Sequence, residues 1–363
     1  MEFCRKDHIG TSMSGRRHHY LPRFLQRPFA HRQNGKEFYV YAHHSARGAY
    51  PSNVMNLGLE RDFYGSPEDT TLDDEITKGE QHLAQTVNKL NDGQEVPAED
   101  IASLIAALSF RTKATRKALS DLVAPLMEAG RTYMLEGRLL QQDLHESLHD
   151  PKKRKDLIYK QIRDQMGHHS REQQAKMYAL MLPKWKILVQ ENEGRLLAQA
   201  HAWVAFALER IMEKASEIGD SGFLKALAKG PNMPERAKRL AAEMVFEVWD
   251  APDGEHFILG DCGTVGLFSD SKPRLALGSI YKEVDMEIVF LPISPTRCVV
   301  ARTPSAVRSI GVSELNRLSA AVSHEFFISA QPDDPQLAEL REAIGSIEPI
   351  ASKEEIAQFL IRD

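Results

Sequence analysis

Near the start of the chain, residues 34–42 read Asn34-Gly35-Lys36-Glu37-Phe38-Tyr39-Val40-Tyr41-Ala42. Asn-Gly favours the tight turn of a β-hairpin, because both residues tolerate a positive φ. The aromatic and β-branched residues that follow the turn favour a strand. This stretch therefore predicts a β-hairpin in the N-terminal segment.

The residue pattern changes twice after this hairpin. Apolar residues first recur with helical spacing at Ile101, Leu104, Ile105 and Leu108. Helical patterns continue to about residue 240, and we expect interruptions near Pro125 and Pro183 because proline breaks a helix. Alternating patterns that are typical of strands return near Met244.

These patterns predict an α+β fold that is predominantly helical. We expect one mixed β-sheet, built from the N-terminal and C-terminal segments around a large helical insertion. The predicted order is a flexible basic tail (1–17), an N-terminal β-hairpin segment (18–70), a helical region (71–240) and a C-terminal mixed α/β segment (241–363) that pairs with residues 18–70.

Composition restricts the class of protein. The longest apolar stretches, Ile101–Leu108 and Ala202–Leu208, are far shorter than the roughly 18 residues that a membrane span requires. The three cysteines, Cys4, Cys262 and Cys298, are too few and too scattered for a disulfide framework. We therefore expect a cytoplasmic protein with no membrane partner.

Charge is distributed unevenly along the chain, whose formal net charge is −5. Residues 1–50 contain nine basic and three acidic residues, which leaves a net charge of about −11 for the remainder. A basic N-terminal segment that is also rich in histidine and tyrosine suits a nucleic acid or another anionic partner. The alternative is a solvated arm without a specific partner.

A second N-terminal signal is the run His18-His19-Tyr20-Leu21-Pro22. Adjacent histidines on an extended chain point to opposite faces, so one of them at most can serve a given site. Pro22 restricts the backbone, which suits a histidine held for acid–base chemistry or metal binding. Structural hydrogen bonding by both rings is the alternative.

This opening resembles that of a bacterial family known as domain of unknown function 4238. The resemblance continues in order through Asp62-Phe63-Tyr64, Glu80, Arg111-Thr112, Phe257–Asp261, Leu291–Pro295 and Asn316. It spans residues 18 to about 330, but Cys262-Gly263 follow the aspartate where the family pattern has Asn-Pro. The family carries no established activity, so a mechanism has to come from the chemistry of these residues.

That chemistry suits a metal-dependent hydrolase of the nuclease type, acting on a nucleic acid in a defence or toxin role. The candidate catalytic residues are His18, His19, Glu80, Arg111 and Asp261. Among them, His19, Glu80 and Asp261 are the candidate ligands of a divalent Mg or Mn ion. The candidate substrate-binding residues are Arg16, Arg17, Arg23, Tyr20 and Asn316.

A non-catalytic helical scaffold or ligand-binding module is the alternative function. In that hypothesis the same histidine, carboxylates and arginine form a buried structural cluster. The sequence contains no Walker loop and no Rossmann fingerprint, so we expect no nucleotide cofactor.

A second alternative is a zinc metalloprotease, because His145-Glu146-Ser147-Leu148-His149 has the H-E-x-x-H pattern. Histidines four residues apart on a helix share one face and can bind one zinc ion. Asp150-Pro151 follow directly, however, so we expect the helix to end there with both histidines exposed. The candidate third ligands are Glu172, His168 and His169.

Overall fold

The computed structural model describes residues 17–65, 68–136, 139–166, 170–230, 233–277, 284–306, 309–348, 350 and 355. The predicted basic tail therefore lies outside the described residues, except for Arg17. The chain divides into two compact units. Unit 1 comprises residues 1–121 and 217–352, and unit 2 comprises residues 122–216 and 353–363.

Unit 1 contains all of the described strands. The N-terminal strands are β1 (Arg17–His19), β2 (Arg32–Asn34), β3 (Glu37–His44), β4 (Gly48–Asn53) and β5 (Leu59–Arg61). The C-terminal strands are β6 (Val245–Asp250), β7 (Leu259–Gly260), β8 (Val265–Phe268), β9 (Pro273–Leu275), β10 (Met286–Ser294), β11 (Arg297–Arg302) and β12 (Phe326–Ser329).

The two ends of the chain meet in one sheet. Its strand order is β2-β3-β12-β7, and β4 also pairs with β3. Within it, Phe326 of β12 lies opposite His44 of β3, and Ser329 lies opposite Tyr41. A second sheet, ordered β6-β11-β10-β8-β9, comes entirely from the C-terminal segment, and β1 pairs with β5 in a third.

The α+β, predominantly helical fold class is confirmed, but the strands differ from the single mixed sheet that the sequence suggested. They form three sheets, and every described strand pair is antiparallel. Short connections explain this in part, because a turn of two residues such as the one between β10 and β11 joins only antiparallel strands.

The helices of unit 1 pack around these sheets. They are α1 (Arg23–Gln26), α2 (Thr71–Asn91), α3 (Ala98–Phe110), most of α8 (Ala215–Ala228), α9 (Pro234–Glu243), α10 (Val312–Val322) and α11 (Pro335–Glu342). In α3, the predicted stripe of Ile101, Leu104, Ile105 and Leu108 is buried in the core. The same core contains residues of β3, β10 and β11, so α3 lies at the centre of unit 1.

The remaining helices are α4 (Lys113–Glu136), which begins in unit 1, and α5 (Leu139–His149), α6 (Pro151–Met166) and α7 (Arg171–Met212) of unit 2. The expected interruptions at Pro125 and Pro183 do not occur, because α4 and α7 run through them. A proline removes one backbone hydrogen bond and strains the preceding turn, which a long helix can tolerate as a local defect. Among the described helices, none has the length and apolarity that a membrane crossing needs.

Candidate functional site

Arg111 is the fully buried cation at the C-terminal end of α3. Its Nη2 donates a hydrogen bond to Oε1 of Glu80 on α2, and the two side chains form an ion pair. Its Nε lies 3.5 Å from the Tyr64 hydroxyl. Arg111 therefore joins α3 to α2 and to the segment that follows β5.

Tyr64 connects this arginine to the His18-His19 run. The backbone N–H of Tyr64 donates to Nδ1 of His18 over 3.0 Å, and its hydroxyl donates to the carbonyl of His19 over 3.1 Å. The rings of His18 and Tyr64 stack with their centroids 5.4 Å apart. Nε2 of His18 lies 4.0 Å from Asp73 of α2. We call His18, Tyr64, Glu80 and Arg111 the Arg111 cluster.

Electrostatics within the Arg111 cluster favour charge on the arginine. Burial alone would lower the pKa of Arg111, but Tyr64 and Glu80 outweigh it and raise that pKa above its ordinary value. Burial raises the pKa of the Tyr64 hydroxyl, which therefore stays protonated. Nη1 of Arg111 is buried and has no hydrogen-bond partner among the described residues.

His19 faces a different environment from His18. Burial, together with the nearby Arg23 and Arg17, lowers its pKa to about 4. The ring is therefore neutral at pH 7. Arg17 donates to Oδ1 of Asn56, and Arg23 lies 2.8 Å from the sulfur of Met55. Arg16, the other candidate of this group, lies outside the described residues.

Asp261 is fully buried after β7, and its partners are backbone amides. Its carboxylate accepts hydrogen bonds from the N–H groups of His324, Glu325 and Phe326 at 2.7, 2.7 and 3.2 Å. Burial raises its pKa to about 6, although these amides act in the opposite direction. Asp261 therefore fixes the turn that leads into β12.

The structure does not bring His19, Glu80 and Asp261 together as metal ligands. Glu80 is paired with Arg111, and Asp261 is enclosed by backbone amides. Among the described residues, the group of ligand atoms close enough to share one ion is His145, His149 and Glu193. A nuclease-type metal centre at the predicted positions is therefore not assembled here.

Two candidate substrate-binding residues have structural contacts instead. Tyr20 is only 2% exposed and packs against Phe63, with ring centroids 5.5 Å apart. Asn316 of α10 accepts from the N–H of Ile258 over 3.0 Å and donates to the carbonyl of His256 over 2.7 Å. It lines a cleft of about 420 Å³ beside α11, but both ends of its amide are engaged by the backbone.

The H-E-x-x-H histidines lie in unit 2, and α5 ends at His149, as expected from Asp150-Pro151. Both histidines are exposed. The third residue beside them is Glu193 of α7, which the sequence pattern did not indicate. Of the third ligands that the sequence suggested, Glu172 pairs with Lys176 on the surface, and His168 and His169 lie outside the described residues.

All four residues of the Arg111 cluster belong to the sequence motifs that resemble the family. The model of the family described as "Protein of unknown function (DUF4238)" matches residues 17–333. The chain belongs to this family. No curated protein and no solved structure matches the chain. The DUF4238 match therefore brings no activity with it, and function has to be argued from this chain's geometry.

No role was predicted from the sequence for two residues in or beside the family motifs, Tyr64 and Lys113. Tyr64 belongs to the Asp62-Phe63-Tyr64 motif, but no role was predicted for it, although it forms hydrogen bonds with His18, His19 and Arg111. Lys113, directly after Arg111-Thr112, bridges Glu60 and Glu325 at 3.2 and 3.0 Å. Tyrosine next to phenylalanine is a common pair, and lysine is common in helices. Neither residue could therefore be singled out from the sequence.

Proposed function

We propose that the protein binds single-stranded nucleic acid on the exposed side of β2 and β3. The observation that carries this proposal is a pair of ring contacts on one face of the hairpin. The His31 ring stacks on Tyr41 with centroids 4.0 Å apart, and the Arg32 guanidinium lies 4.4 Å from the centroid of Tyr39. We call these four residues the hairpin face.

Strand geometry sets the spacing of the two tyrosines. Residues 39 and 41 are two positions apart on β3, so they project to the same side at roughly 7 Å from each other. Bases in a duplex are stacked on one another about every 3.4 Å, so their faces are not available to the tyrosine rings. An unstacked single strand suits this spacing, and sequence-tolerant binding by such aromatic platforms is common.

Charge in the N-terminal segment supports an anionic partner. Burial and Arg32 together lower the pKa of the exposed His31. The His31 ring is therefore neutral at pH 7, while Arg32 beside it keeps its charge at any physiological pH. A neutral aromatic ring can stack on a base, and the fixed charge of an arginine can bind a phosphate.

Hydrolysis is not part of this proposal. The nuclease hypothesis required His19, Glu80 and Asp261 to share a metal ion, and two of these side chains have other partners. The Arg111 cluster then has the structural role of the scaffold hypothesis. It connects the His18-His19 run to α2 and α3 through Asp73, Glu80, Tyr64 and Arg111.

Fluorescence anisotropy with a labelled single-stranded oligonucleotide tests the proposal. We expect Tyr39→Ala/Tyr41→Ala to weaken binding at least about tenfold, because stacking contributes about 1–3 kcal/mol per base. Tyr41→Leu keeps apolar cover on the strand and is expected to lose affinity while retaining the wild-type Tm.

The matched control is Phe206→Ala on α7, where an exposed phenylalanine lies 6.0 Å from the guanidinium of Arg210. This variant is expected to bind like the wild type. Equal affinities for the tyrosine variants and this control would overturn the proposal. Equal affinity for a duplex of the same sequence would contradict the single-strand assignment.

A further inference from the structure

Unit 2 brings together three potential metal ligands from two helices. His145 and His149 lie one turn apart on α5, and their ring centroids are 4.3 Å apart. Glu193 projects from α7, and its Oε1 lies 2.9 Å from Nδ1 of His145. One ligand atom from each residue lies within 4.8 Å of the other two.

The two helices are fixed against each other close to this group. The indole N–H of Trp185 on α7 donates to the carbonyl of Leu148 over 3.1 Å, and Leu148 itself is buried. Trp185 precedes Glu193 by eight residues, which is about 12 Å along the helix. Position and direction of Glu193 relative to the histidines are therefore set by packing as well as by the contact with His145.

We propose that His145, His149 and Glu193 bind one zinc ion, with a water molecule as the fourth ligand. Two imidazoles and one carboxylate form a set that suits tetrahedral zinc with one open position. Magnesium and manganese prefer oxygen ligands, so a group with two nitrogen ligands disfavours them. Zinc would connect α5 to α7. This site is independent of the proposed nucleic-acid function.

The exposure of His145 and its hydrogen bond to Glu193 are both compatible with zinc binding. The side chain of His145 is 59% exposed, so a hydrated ion reaches it without opening the fold. In the absence of metal, the hydrogen bond between His145 and Glu193 keeps both groups near their ligating positions. A zinc ion would replace that hydrogen bond with two coordinate bonds of about 2.0–2.2 Å.

Zinc titration of the untagged, full-length protein tests this site, because a polyhistidine tag would itself bind zinc. We expect one tight equivalent by chelator competition, and a tetrahedral visible spectrum when cobalt(II) replaces zinc. Glu193→Gln keeps the shape and a hydrogen bond to His145 but removes the anionic ligand. We expect Glu193→Gln and His149→Ala each to weaken zinc binding at least about tenfold.

The matched control is His82→Ala in unit 1. His82 is also an exposed histidine with a carboxylate partner, Asp100 at 3.0 Å, but among the described residues no second histidine joins them in a ligand group. This variant is expected to bind zinc like the wild type. Wild-type affinity in Glu193→Gln, or an equal loss in His82→Ala, would overturn the site. Circular dichroism of each variant checks that the helices are intact.

Discussion

Arg111 and Glu80 form an ion pair in which the arginine side chain is completely buried and the glutamate side chain is 30% exposed. Such an arrangement is asymmetric, because only the carboxylate can regain water when its partner is removed. The arginine cannot be hydrated without opening the core between α2 and α3. The pair therefore acts as a structural connection.

Replacing Glu80 by leucine is expected to lower the free energy of unfolding by about 3 kcal/mol, since it leaves the buried charge of Arg111 without its carboxylate partner. Urea denaturation measures this loss. The double variant Arg111→Met/Glu80→Leu is expected to be more stable than Glu80→Leu alone. Glu243→Leu, which breaks an exposed pair with Arg239, is the control and should change little. A Glu80→Leu variant as stable as the wild type would contradict the structural role.

The raised pKa of Asp261 predicts that the free energy of unfolding depends on pH. Its pKa is raised from 3.8 to about 6 on burial, so the folded state favours the protonated acid. Its stabilising contribution is therefore complete below about pH 4 and is lost as the pH rises through about 6. The difference in free energy of unfolding between wild type and Asp261→Asn should fall by about 3 kcal/mol at most between pH 4 and 7. Urea denaturation at both pH values measures it.

Asp270→Asn provides the opposite control. Burial opposes its ionisation, but hydrogen bonds from Arg274 hold the pKa of Asp270 below its ordinary value. Its contribution is present above about pH 4 and is lost only as the pH falls further. The difference between wild type and Asp270→Asn should not decrease from pH 4 to 7. A parallel decrease in both variants would show that Asp261 is not responsible.

Gly58 lies directly against Leu21, two residues after the His18-His19 run. Its φ is +65°, its carbonyl accepts from the N–H of Leu21, and an added Cβ would lie 2.7 Å from Cβ of Leu21. Gly48 has a similar φ of +74° but nothing within 4 Å of an added Cβ. Gly48→Ala should lower stability by about 1 kcal/mol, from backbone strain alone. Gly58→Ala should lower it by a further 1–3 kcal/mol or so. Thermal unfolding of the two variants side by side separates the effects.

Salt dependence tests the role of Arg32 in nucleic-acid binding. Removing one cation that binds a phosphate of a single strand should reduce the slope of log affinity against log salt by about 0.7. Arg32→Ala is expected to show that reduction in anisotropy titrations between about 50 and 200 mM salt. Arg210→Ala, which removes the matched cation on α7, should leave the slope unchanged. An unchanged slope in Arg32→Ala would mean that this arginine does not bind phosphate.

Much of the fold could be predicted from local patterns. The Asn34-Gly35 turn, the strand after it and the apolar stripe of α3 all depend on neighbouring residues, and the structure contains each of them. The partner of a strand is not a local property. The sequence indicated a sheet shared by the N-terminal and C-terminal segments, but nothing in Phe326–Ser329 itself identifies Tyr41–His44 as its partner or predicts three antiparallel sheets.

In the candidate site, too, individual residues could be predicted from the sequence but their partners could not. Glu80 and Arg111 were both selected, either for one catalytic group or for a buried structural cluster, but the sequence did not indicate that the two pair with each other. The partners of Asp261 are backbone amides, which almost every residue possesses and which therefore carry no sequence signal. Glu193 lies on a different helix from His145 and His149, so only the packing of α7 against α5 reveals it.

The pairing of β3 with β12 has a consequence for synthesis. His43 and Ser329 contact each other across 286 positions of sequence. At about 5–20 residues per second, a ribosome needs roughly 15 to 60 s to add the second strand after the first. Throughout that time one edge of the N-terminal hairpin lacks its partner, and an unpaired edge can associate with other chains. Residues 41–44 of β3 therefore remain an unpaired strand edge until residue 329 has emerged.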